Sequence, residues 1–379
     1  MNWFSGSKQS EAKKLISQLA ETDKREHAAQ ELIRLGEDAV QPLTEALQTQ
    51  NLSLLPVYQH LLARIPSAAP ALTKLLATAH PIIRARVVDV FAINKDKAAI
   101  PALLEALKGE YYTVRSRAAL ALGKIGDRGV IPLLFKVLKD PEEQVRIAAC
   151  LALGMFQDPS TFDEITEVLL DDPQIKVRHA AAKALGDTHH PAAIPFLMEA
   201  LHDSYWWYEK EQEVTVLLNA IEKMGALVVD ALIEALGDQE RNVRKFAIIL
   251  LGNLRDPRTI EELGMAVYDL HHEVSLAAAE ALSKFGGPAV GVLSEALSHP
   301  EAAVREHAVM GLGKIRDENV APLLVEMLAD PERIVRKQAL LSLGVLKDAR
   351  AVPALREVAS SRTDRELAAL AKQALELMK

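Results

Sequence analysis

The sequence predicts an all-α chain, an α-α superhelix that runs as a solenoid of about 12 helical hairpins. Three observations lead there. A phrase that starts at Val114-Arg115 and continues through Ala118, Ala119, Leu122 and Gly123 returns at Val145-Arg146, Val177-Arg178, Val243-Arg244, Val304-Arg305 and Val335-Arg336. The copies stand about 31 residues apart, or twice that, which is the period of a stacked hairpin array. Within each copy the apolar residues recur at helical spacing. Composition agrees: 49% of residues are hydrophobic but only 4% are aromatic, so Ala and Leu must build the core. A chain of 379 residues would ordinarily suggest about two or three domains. A repeat array escapes that expectation, because each unit buries its apolar face on its neighbours, so one solenoid over 1–379 is expected.

In chain order, residues 1–95 read as degenerate repeats and 96–202 as regular ones. Residues 203–225 form an irregular repeat that contains aromatics, 226–346 are regular again, and 347–379 read as a capping hairpin. The stretch 7–19, with Lys8, Glu11, Lys13 and Lys14 outward, suits the opposite cap, since a solenoid end must face water. Within the unit 131–154, Ile131, Leu134, Val137 and Leu138 share one face of a first helix that carries Pro132 in its opening turn. Proline is tolerated there because the first amides of a helix lack internal acceptors. Asp140-Pro141 is expected to cap and open the second helix, as are Asp172-Pro173 and Asp330-Pro331, with His80-Pro81 and His299-Pro300 as variants. In that second helix Val145, Ala149, Ala152, Leu153 and Phe156 form the buried stripe. Asp158-Pro159 and Asp256-Pro257 start the next first helices. The arginine of each Val-Arg pair, recurring beside a turn aspartate, is expected to tie neighbouring turns into a structural ladder.

The phrase V-R-x-x-A-A-x-A-L-G-x-I-G-D-x-x-A-I-P-x-L resembles the HEAT repeat, specifically the subtype named after phycobilisome lyases. The match is close over 114–139, 145–187 and 304–330, and weaker before about 95 and around 203–230. The resemblance implies that helices carrying V-R-x-x-A-A line the concave surface. Proteins of this subtype include bilin lyases, phycobilisome-degradation factors, a di-iron hydroxylase and bacterial scaffolds.

Several chemistries are argued against. The hydroxylase resemblance would require His-Glu pairs just after the Val-Arg element, but those positions hold His179-Ala180, Lys245-Phe246, Glu306-His307 and Lys337-Gln338. His272-Glu273 and the turn pair His189-His190 supply too few ligands for a metal. The glycines form neither a Walker loop nor a dinucleotide fingerprint, and no nucleophile elbow occurs. No catalytic residue, metal or cofactor is therefore expected. The net charge of −8, from 44 basic and 52 acidic side chains, argues against nucleic acid, including the glycosylase members of the fold. No apolar run reaches 18 residues, so no membrane span is expected. The single cysteine, Cys150, sits in the core phrase as inert packing and suits a reducing cytoplasm, here a bacterial one.

Two departures from the repeat mark where a partner would dock. Tyr205, Trp206, Trp207 and Tyr208 fall in extra length where the Val-Arg pair is lost, and four consecutive rings cannot share one helical face. They read either as a packing plug or as a platform. Six residues beyond each Val stand Leu120, Leu151, Ile249, Met310 and Leu341, and two beyond stand Ile147 and Leu276; these are expected either to face solvent opposite the core stripe or, if the superhelix curves strongly, to be buried against neighbouring helices. Aligned apolar positions of this kind suggest an interface. They group into patches at 116–155 and 245–345, with His179 and Lys183 between them, and with Lys183, Lys245 and Glu306 available for polar selection. The expected function is a scaffold or adaptor that captures a protein partner. The alternative, which the family resemblance implies, is a bilin-binding protein using Trp206, Trp207 and His179.

Overall fold

The structure, a computed structural model, describes residues 3–203 and 211–378, with side chains described over 8–203 and 214–378. Among these residues there are 24 α-helices and no strand. The helices follow one another as hairpins whose first helix is usually introduced by a short 3-10 turn. The chain forms two compact units, 1–196 and 197–379.

In the first unit the regular repeats show how the fold is made. The 3-10 turn Arg128–Val130 is capped by Asp127, whose carboxylate accepts from Gly129 N at 2.9 Å, and it leads into the first helix Ile131–Val137. The second helix Glu143–Gly154 buries Val145, Ala149, Ala152 and Leu153, and Phe156 just beyond it, as the stripe predicts. It packs directly against its counterparts Tyr112–Ile125 and Ile175–Asp187. The approach is close enough to require glycine: a Cβ on Gly123 would lie 2.7 Å from Ala152 Cα, and one on Gly154 would lie 2.9 Å from Ala184 Cα. Cys150 is buried in this layer, and burial pushes its thiol up to about 12, so it stays an unreactive packing group.

One local expectation is corrected. Asp140, Asp172 and Asp330 do not cap the second helices, which begin later, at Glu143, Ile175 and Arg333. Each aspartate instead closes its own turn, Asp140 Oδ1 accepting from Glu142 N at 3.0 Å, and turns both oxygens toward an arginine of the preceding repeat. A guanidinium fork is a stronger partner for a carboxylate than a single helix-end amide, so it takes the side chain.

The ladder itself is present. Arg115 Nε and Nη2 reach Asp140 at 2.8 and 2.9 Å, while its Nη1 donates to the carbonyls of Gly109 and Glu110. Arg146 does the same with Asp172 and with the carbonyls of Asp140 and Pro141. At the start of the ladder Arg84 Nε is buried without a hydrogen-bond partner, because the position opposite is Gly109.

The second unit repeats the pattern. Second helices Arg241–Leu254, His272–Ser283, Ala302–Leu312, Arg333–Leu346 and Arg365–Leu377 pack each on the next. Arg244–Asp269 and Arg305–Asp330 are its ladder pairs, both with a 2.7 Å Nε contact. The last hairpin, Val352–Ser360 and Arg365–Leu377, exposes Arg356, Arg365 and Lys372, as a cap requires.

Gly154→Ala tests the close packing. Helix propensity alone would stabilise the variant by up to about 1 kcal/mol. The clash with the Ala184 backbone outweighs that gain, so a net loss of about 1–2 kcal/mol in urea unfolding is expected.

Candidate binding surface

In the first unit Leu120, Ile147 and Leu151 lie half-buried on Tyr112–Ile125 and Glu143–Gly154. His179 is half-buried on Ile175–Asp187, and the exposed Lys183 pairs with Asp187 at 2.7 Å. In the second unit Ile249, Leu276 and Met310 are likewise half-buried, and Leu341 is 43% exposed. Of the solvent-facing positions expected, Leu341 alone is exposed, and the others follow the alternative of partial burial. Second helices stand so close that each covers part of its neighbour's outward side chains. Tyr205, Trp206, Trp207 and Tyr208 lie outside the described residues.

The second unit brings several of these side chains together. Lys245, Ile249, Glu273, Leu276, Glu280 and Lys284 line a groove of about 200 Å³ between Arg241–Leu254 and His272–Ser283. Lys245 and Glu273 approach to 3.8 Å across its mouth. Polar ties border the groove at the far ends of the helices. Lys284 Nζ donates to Asn253 Oδ1 at 2.6 Å, Asn253 Nδ2 to Glu222 at 3.0 Å, and Lys314 Nζ to Glu280 at 2.6 Å. The surface is an apolar strip edged by both signs of charge. Burial raises the pKa of nearby Glu306, although His272 and Lys337 oppose the shift.

One buried cluster escaped the sequence reading. Ser275 stands where the repeat places its ladder arginine, and His299 stands where it places the matching aspartate. Ser275 Oγ donates to the Val267 carbonyl at 2.6 Å, so the 2.8 Å contact with His307 Nδ1 is a bond donated by the imidazole. His307 Nε2 is left buried with no partner, and the His272 ring lies 4.4 Å away. In a catalytic pair the serine would give its proton to the histidine; here the proton order is reversed, and the histidine is only 1% exposed. The pair therefore works as packing. The break in Val274-Ser275 was the available signal.

Among the described residues no cluster of three or more His, Cys, Asp or Glu is placed to hold a metal, and no helix is long and apolar enough to cross a membrane. The profile described as HEAT repeats matches residues 69–141, 131–217, 229–291 and 290–376. A search of the curated proteins finds no match. Among solved structures, Kap121p bound to Pho4p aligns with a TM-score of 0.55 at 14% identity over 98% of this chain, which spans 50% of that one. The CpcE–CpcF complex of phycocyanin lyase from Nostoc sp. PCC7120 gives 0.35 at 21% identity, covering 59% of this chain and 91% of that one. Human deoxyhypusine hydroxylase gives 0.30 at 22% identity, covering 85% and 99%.

Burial with no partner at Nε2, and His272 beside it, lower the His307 pKa from 6.5 to about 4. A histidine depressed on folding leaves the folded state binding fewer protons than the unfolded one. Its stabilising effect is complete above about pH 6.5 and is lost as pH falls toward 4, by up to about 3 kcal/mol. His202, raised by its hydrogen bond to Asp238, has the opposite sign: its stabilisation is complete below 6.5 and disappears at higher pH. The comparison that isolates His307 is therefore wild type against His307→Asn. The variant should lose much less stability between pH 6.5 and 4.5 in urea titrations; parallel curves would contradict the assignment.

Proposed function

We propose that this chain, which belongs to the HEAT-repeat family, is a scaffold or adaptor that holds a protein partner on the second-helix layer of residues 197–379. The carrying observation is the strip of Ile249, Leu276, Met310 and Leu341 with its bordering charges. At about 200 Å³ the groove between Ile249 and Leu276 is smaller than the roughly 300–1,000 Å³ of small-molecule pockets. It suits one or two inserted side chains. An amphipathic helix meets both halves of the chemistry, with apolar anchors toward the strip and charges toward Lys245, Glu273, Glu280 and Lys284. Kap121p, which shares the fold, is seen in complex with Pho4p, so solenoids of this kind do hold protein partners. A reducing cytoplasm, with no cofactor, remains the setting that suits a single buried thiol.

A second reading places the chain in the phycobilisome-lyase subtype with a bilin ligand. The phrase over 114–139 favours it. An unshifted absorbance spectrum when a bilin is mixed with the purified chain would eliminate it.

Ile249→Asp combined with Leu276→Asp puts carboxylates into the strip beside Glu273 and Glu280. Losing two apolar anchors is worth about 2 kcal/mol or more. Recovery of partners by affinity purification from the native host should fall at least tenfold while circular dichroism stays unchanged. Undiminished recovery would contradict the proposed surface.

A further inference from the structure

The ladder is interrupted at its C-terminal end. Arg336 Nη1 donates to the carbonyls of Asp330 and Pro331 at 2.6 and 2.8 Å, the same pose that Arg305 takes toward His299 and Pro300. In Arg115, Arg244 and Arg305 the Nε and Nη2 edge is filled by an aspartate 25 residues further on. For Arg336 that position is Ser361. Equivalence does not rest on counting alone. Each ladder aspartate accepts from the amide two residues ahead, as Asp330 does from Glu332, and Ser361 Oγ accepts from Thr363 N in the same way. A serine hydroxyl is too short and carries no charge to fill the fork, and among the described residues no carboxylate pairs with Arg336. Asp364 is the nearest candidate by sequence, but Arg333 holds it at 2.7 and 3.2 Å.

The open edge faces a cleft of about 560 Å³ whose walls include Val325, Leu328, Val358 and Leu367, with Arg336 and Ser361 at its polar end. Glu357 and Asp364 also line it, Asp364 being held by Arg333, so the fork of Arg336 rather than the net charge of the lining is what would select an anion. A cleft of about 720 Å³ in the first unit provides the contrast: it has a similar apolar wall of Phe135, Leu138 and Val168, but there Arg146 is already bonded to Asp172. One cleft has its arginine satisfied from within the chain and the other does not.

We propose that Arg336 and this cleft form a site for an organic oxyanion, which presents two oxygens to Nε and Nη2 and hydrocarbon to the apolar walls. The ladder aspartates show the geometry such a group adopts. A carboxylate beside an aliphatic side chain, as at the C-terminal residue of a peptide, meets both demands. The site is separate from the second-helix strip, and either can fail without the other.

The test uses the full chain with ¹⁵N-labelled arginine, following the Arg336 Nε–H signal. N-acetyl-leucine should shift it saturably, and N-acetyl-leucinamide should not. Ser361→Asp restores the internal partner, so it should raise Tm and weaken N-acetyl-leucine binding at least tenfold; Arg336→Gln should abolish it. Inorganic phosphate that binds in place of N-acetyl-leucine, and is equally lost in both variants, assigns the same site to a phosphoryl ligand. Equal shifts with the amide, or undiminished binding in Ser361→Asp, would overturn the proposal.

Discussion

The structure depends on one arginine fork that serves two turns at once. Arg305 donates through Nη1 to the turn before its own helix and through Nε and Nη2 to the aspartate of the next repeat. With 9% and 3% side-chain exposure, Arg305 and Asp330 are almost dry. Desolvation offsets most of the net gain from such a pair, but removing one partner leaves an uncompensated buried charge at a cost of about 3–5 kcal/mol. Its main effect is therefore on register. Any other alignment of neighbouring hairpins strands a charge, while the glycine–alanine contacts allow only one depth of approach.

A repeated constraint makes each departure from it informative. Where Val274-Ser275 replaces the arginine and His299 the aspartate, the pair is lost, and Ser275 instead joins His307 in a neutral packing contact. At Arg84 the aspartate is replaced by Gly109, and a buried Nε is left over. At Arg336 the missing carboxylate coincides with a cleft, and the proposed oxyanion site rests on that coincidence. The apolar strip is a different kind of departure, since its side chains obey the helix period but exceed what the core needs.

Much of this was legible in the sequence. Helical period, turn residues and the Val-Arg phrase are local, so they give the hairpins, the buried stripe and the ladder. The role of Asp140 was misread because local pattern names an acceptor without ranking its donors; the winning donor, Arg115, is 25 residues away. Half-burial of Leu151 and Ile249 depends on the distance between neighbouring helices, which small residues set jointly. The Ser275–His307 bond spans 32 residues and was visible only as a broken phrase. Ser361 was hidden for a similar reason, because a serine in a polar turn looks ordinary until the arginine opposite it is known.

The most direct test is a double-mutant cycle on the ladder, with Arg305→Gln, Asp330→Asn and the double variant compared by urea unfolding. If the pair sets the register between hairpins, each single change is strongly destabilising and the double much less so than their sum, with a coupling energy of about 2 kcal/mol or more. Additive losses, with coupling near zero, would show that the hairpins align without the arginine fork.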